Sequence, residues 1–161
     1  MKTPLALAAA LTLVALLVPA TATSSSQETR PHKAICEGVP DDPLALEVHV
    51  TGSCQATHLG RDGFESSHTV IPVGFDPVTM TAELLVVGGQ GRHRAADGDW
   101  LYSAYAGTGT AYLLTGRIEF EFTGTFTGGT GRFAGASGTS TIRGAVEGGV
   151  ARFTEKGSIT Y

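Results

Sequence analysis

Gly128-Gly129-Thr130-Gly131-Arg132-Phe133-Ala134-Gly135-Ala136-Ser137-Gly138 is the stretch whose reading decides the fold. It lies between an alternating run, Ile118 to Phe126, and a second extended run, Ser137 to Val146. Glycines at 128, 129 and 131 permit a reversal at positive φ that β-branched residues cannot make. Phe133 is the only large apolar side chain in the stretch and is expected to tuck beneath the turn as a plug. Gly128, Gly129, Gly131, Phe133, Gly135 and Gly138 are therefore read as a structural corner between two strands. A dinucleotide fingerprint is the competing reading, because Gly129-x-Gly131-x-x-Ala134 has its spacing. That motif needs a helix next, whereas Ser137 to Ile142 is a poor helix former and a good strand. Only 30 residues follow Gly131, too few for the rest of such a domain.

Outward from the corner, the chain alternates. Ile118, Phe120, Phe122 and Phe126 share one face and Glu119, Glu121, Thr123 and Thr125 the other, the period of a two-faced strand. Extended runs are also expected from Leu44 to Leu59, with Gly52 marking a bulge, and over Phe64–Phe75, Met80–Val87, Trp100–Leu114 and Val150–Tyr161. Gly88 to Asp99 reads as a long polar connection, with Arg92-His93-Arg94 as a solvated cluster that leaves room for one short strand. Residues 107–149 hold 12 of the 22 glycines, which excludes helices there. The pattern is all-β with seven or eight strands, a barrel or a sandwich.

The first 22 residues read as an export signal: Lys2, an apolar run of 14 residues from Leu5 to Val18, then Pro19-Ala20-Thr21-Ala22 before the expected cleavage point. Residues 23–43 are polar and proline-interrupted and read as a flexible lead-in, which leaves 44–161 as the β-domain. The formal net charge is −4, and one unit more negative once Lys2 is removed. That balance gives no electrostatic case for nucleic acid or anionic membranes as partners. Two cysteines in an exported chain, Cys36 and Cys54, are read as a disulfide. Closing that loop stabilises by about 3 kcal/mol in the chain-entropy picture.

The glycine stretch resembles the G-G-[ST/A]-G-x-F-x-G-A-x-G motif of allene oxide cyclases and the shorter G-G-T-G-x-F sequence of plant dirigent proteins. Gly98-Asp99-Trp100-Leu101-Tyr102-Ser103-Ala104-Tyr105-Ala106-Gly107 and Thr57-His58-Leu59-Gly60 are similar to stretches of exported bacterial relatives. The resemblance runs in order over roughly residues 44–161. It implies an eight-stranded antiparallel β-barrel of the calycin-like kind, and an activity that works by confining a reactive molecule. Cyclases of this group use an early-strand glutamate, but Glu47 falls on the face opposite Leu46 and Val48, and no motif surrounds it.

Other chemistry is sparse. The histidines at 32, 49, 58, 68 and 93 have no metal-ligand spacing, and neither a metal nor a cofactor is expected. No G-x-S-x-G elbow is present, since Gly135-Ala136-Ser137-Gly138 fails the spacing. Tyr105 shares a face with Leu101 and is the leading candidate for a hydroxyl aimed into a lumen. With Ser103 and His58 it makes up the candidate ligand contacts. Three functions compete: a binding module for a small apolar or aromatic molecule, an isomerase or cyclase acting by confinement, and a structural or interaction protein with a packed lumen. An apolar lumen of a few hundred Å³ separates the first two from the third. Expressed with its own N-terminus in an exporting host, the secreted chain should begin at Thr23 and weigh two hydrogens less than the reduced form. Mass spectrometry showing free thiols at both cysteines would contradict the bridge.

Overall fold

The computed structural model describes residues 27–161, so the expected export signal lies outside the described residues. Eight strands follow one another: β1 (Thr29–Pro40), β2 (Glu47–Ala56), β3 (Gly60–Asp76), β4 (Thr81–Arg94), β5 (Trp100–Tyr112), β6 (Arg117–Gly129), β7 (Ser137–Glu147) and β8 (Val150–Thr160). Each pairs antiparallel with the next, and β8 returns to β1 with Thr29 opposite Thr160 and Gly38 opposite Ala151, closing the barrel. No α-helix occurs among the described residues; Gly131–Phe133 forms one 3-10 turn. The protein is thus a closed eight-stranded antiparallel β-barrel, as the calycin-like expectation has it.

Three local expectations are corrected. The barrel begins at Thr29 rather than at residue 44, so most of the expected flexible lead-in is β1. Its inward positions are His32, Ala34, Cys36, Gly38 and Pro40, whereas bulky Ile35 and Val39 face out. The hydrophobic alternation therefore runs opposite to the usual sense, which hides the strand. Gly52 is not a bulge, because the register from Glu37–Ser53 through Gly38–Gly52 is unbroken. It is required because a Cβ there, or at Gly38, would meet the Phe64 ring at 2.6 Å. Third, Gly88 to Arg94 continues β4. The real bulge lies between Val86 and Gly89, with Gly88 at φ +65°. It resets the alternation so that Gly89, Gly91 and His93 face inward.

Cys36 sits directly opposite Cys54 in the β1–β2 ladder, and the two form the expected disulfide inside the barrel. The outer face carries cross-strand ion pairs such as Glu37–Arg152 and Glu121–Arg143, at 2.9 and 2.8 Å. At such exposure solvent screening leaves these pairs little to contribute.

The corner behaves as the sequence indicates. Gly128, Gly131, Gly135 and Gly138 have positive φ, and Phe133 is fully buried, 5.0 Å from the Tyr161 ring. The corner is locked to the β4–β5 turn: Thr130 N–H donates to the Trp100 carbonyl at 2.8 Å, and Trp100 N–H donates to Thr130 Oγ1 at 2.9 Å. Arg132 N–H donates to Asp99 Oδ2 at 3.1 Å. With Leu59, Leu101, Phe126 and Ile159, Phe133 makes the plug that shuts this end of the barrel. Phe133→Ala should cost about 3–5 kcal/mol in urea unfolding. Gly131→Ala should also destabilise, because φ is +52° there and the Asp99 carboxylate occupies the space of a Cβ. Arg132→Ala should cost only about 1 kcal/mol, since what is lost is the exposed Asp97 pair at 3.2 Å and a partly exposed guanidinium lying 4.8 Å over the Phe133 ring.

Candidate functional site: the barrel lumen

The end opposite the plug is open. A cavity of about 120 Å³ enters there, past Pro43, Leu84, Ile118 and Val146, and descends between the strands. Its walls are Val48, Val50, Val86, Phe120, Phe122, Phe153 and Phe64. This is below the few hundred Å³ that separates the two ligand readings from a packed lumen. It is close to the roughly 150 Å³ that accommodates benzene in a protein interior. The small volume has a visible cause. Phe120 stacks on Phe122 at 4.8 Å, Tyr105 stacks on Phe122 at 5.4 Å, and Phe64 meets Phe153 edge-on at 5.4 Å. Four phenylalanines and a tyrosine fill most of a barrel that is only wide enough for side chains or one modest ligand.

Two polar groups interrupt the apolar walls. Halfway down, the Tyr105 hydroxyl lies 2.9 Å from His68 Nδ1. Burial pushes the His68 pKa down and the Tyr105 pKa up. The imidazole is therefore neutral in the fold, and the Tyr105 hydroxyl also reaches the Ser67 carbonyl oxygen at 3.4 Å. Tyr105 fits because its strand partner is Gly89, where a Cβ would lie 2.5 Å from the ring.

The second group forms the floor. Asp62 Oδ2 lies 2.7 Å from His93 Nδ1, and both residues are buried. Ser140 Oγ donates to Glu155 Oε1 at 2.6 Å. His32 Nε2 is 3.5 Å from Glu155 Oε2, too far for a well-formed hydrogen bond. Burial pushes the Glu155 carboxyl up, but the neighbouring His32 and His93 rings and the Ser140 hydroxyl together outweigh it and hold the group below its usual value. Among the described residues, Asp62 Oδ1 and both ring nitrogens of His32 have no hydrogen-bond partner. His93, Glu155 and Ser103 line the cavity itself. Asp62 and His93 also lie near Cys54, but its sulfur is committed to the disulfide and supplies no thiolate to a metal.

Of the sequence candidates, Tyr105 and Ser103 line the lumen and His58 does not. His58 sits in the β2–β3 turn at the plugged end with φ +71°, its Nε2 2.8 Å from the Pro31 carbonyl oxygen. The Arg92-His93-Arg94 trio is not a solvated loop. The bulge at Gly88 turns His93 inward, while the guanidinium groups of Arg92 and Arg94 lie over the Trp100 ring at 5.2 and 5.7 Å. Glu47 is exposed and accepts from Thr69 Oγ1 at 2.7 Å, as its place in the alternation indicates. His32, Asp62, His68, His93 and Glu155 were not singled out as a group because they come from β1, β3, β4 and β8. Inward parity along β8, where Ala151, Glu155 and Ile159 are buried in turn, is the signal that marks the glutamate.

Comparison with protein-family models gives no match, and neither does comparison with curated proteins.

The His68 shift has a pH consequence. Its pKa is depressed in the fold, so between that value and the unfolded value of about 6.5 the unfolded chain binds more protons. Stability should therefore be full above about pH 6.5 and decline as the pH falls through that window. Thermal melts from pH 7.5 to 5 should show a shallower decline for His68→Gln than for the parent.

Proposed function

We propose that this protein is an exported binding module that holds one small apolar or aromatic molecule, the size of a single six-membered ring, in the barrel lumen. The observation that carries the reading is the apolar cavity of about 120 Å³, plugged at the Phe133 end and open at the other. A cavity of that size accommodates a benzene-sized guest, so the packed-lumen reading has the least support. The disulfide fits an oxidising compartment, and the apolar run at Leu5–Val18 supports export. The corner motif and the closed barrel support a place beside the allene oxide cyclase and dirigent barrels. They also keep confinement chemistry as the second reading, which the histidine and carboxylates of the floor favour.

Titration of ¹⁵N-labelled protein with benzene, cyclohexane and decanoate tests this. The two rings should shift the amides of Tyr105, Gly109 and Phe122 with a dissociation constant of about 1 mM or tighter, a modest return for six heavy atoms. Decanoate should bind more weakly, because its chain exceeds the cavity. Val146→Trp, placed at the mouth, should abolish the ring-induced shifts. Amide shifts scattered over the outer face, or none, would contradict lumen binding.

A further inference from the structure

The lumen floor carries more acid–base machinery than an apolar cage requires. The Asp62 side chain is fully enclosed, while the side chain of His93 keeps 10% of its surface accessible. Because His93 lines the cavity, that surface opens into the lumen. With Nδ1 donating to the Asp62 carboxylate at 2.7 Å, the neutral ring carries its lone pair on Nε2. The ring plane is fixed by stacking on Phe64, with centroids 5.9 Å apart. Ser103, the inward residue next to the His93 partner Leu101 on β5, brings a hydroxyl to the same floor. Glu155 closes the floor from β8 as a carboxylate. A base held by a buried carboxylate, a nearby hydroxyl donor and a dry apolar chamber above are the parts required for proton transfer at carbon.

We infer that the floor is a catalytic site for enolisation of a small carbonyl compound, with His93 as general base, Asp62 as the positioning residue and Ser103 as donor to the carbonyl oxygen. His93 Nε2 takes a proton from the carbon beside the carbonyl. The C–H electron pair becomes the new C=C bond, and the carbonyl π pair moves to oxygen, where the Ser103 hydroxyl stabilises the charge. The imidazolium trades its N–H with solvent through the open mouth and then gives a proton (in D₂O, a deuteron) to the original carbon or, in a β,γ-unsaturated ketone, to the γ-carbon. The second outcome is a 1,3-isomerisation. No oxidant, reductant or metal enters the balance. The inference rests on the lumen-binding reading, since the substrate must reach the floor.

Cyclohexanone, a six-membered ring of the right size, is the probe. In D₂O, exchange of its C2 and C6 hydrogens is followed by ¹H NMR, and its binding by amide shifts. The protein should accelerate exchange saturably over buffer, and toluene should compete. His93→Gln should bind cyclohexanone yet lose about a hundredfold or more of the exchange rate, the usual scale of general base catalysis. Asp62→Asn should lower the maximal rate while leaving the half-saturation concentration nearly unchanged, and Asp62→Glu should recover part of it. Thermal melts establish that each variant is folded, and the wild-type measurement stands even if one is not. Binding without exchange, or exchange that survives in His93→Gln, would overturn the inference and leave lumen binding intact. Absence of cyclohexanone binding would overturn both.

Discussion

An eight-stranded barrel has room for rings along its axis only where the facing strand withdraws its side chain, and this constraint organises the interior. The Phe64 ring occupies the space of a Cβ at Gly38 and Gly52, and Tyr105 does so at Gly89. The Phe122 ring likewise reaches into the space of a Cβ at Gly107. Each ring therefore fixes its neighbour in the ladder as well as filling volume, because a one-residue slip would bring it against a Cβ. The cavity is what these rings leave unfilled. Its single-ring size follows from the count of aromatic side chains rather than from the barrel diameter.

The polar floor runs against the economy of an apolar core. Burying Asp62, His93, His32 and Glu155 costs desolvation that their partners only partly offset, so such groups add little net stability. Removing one partner alone is expensive, about 3–5 kcal/mol for a fully buried pair. The floor is thus held in place without being the source of the fold's stability. Stability comes from the ladder, the disulfide and the Phe133 plug beneath. The barrel carries its structural burden at the plugged end and its chemical groups above it, and the open end admits a guest to them.

Much of the fold was legible in the sequence. β6 alternates so cleanly that its phenylalanine face could be read directly, and the glycine corner announced both the reversal and the buried plug. β1 was not legible, because its inward residues are a histidine, an alanine, a cysteine, a glycine and a proline while isoleucine and valine face water. The second half of β4 was hidden by the same device: two glycines and a histidine face inward, past a bulge that shifts the parity. The floor was hidden because its members are far apart in the chain and meet only when the barrel closes. Of the lumen contacts, Tyr105 and Ser103 could be found because β5 alternates. His58 could not be placed without knowing which end is plugged.

Diffraction from a crystal under xenon pressure tests the lumen most directly. Xenon prefers dry apolar cavities, and it should appear as a strong peak among Phe120, Phe122 and Val86, above the His93 floor and below the mouth. A lumen without xenon, with peaks only at the outer surface or beneath the Phe133 plug, would contradict an apolar chamber open to a guest.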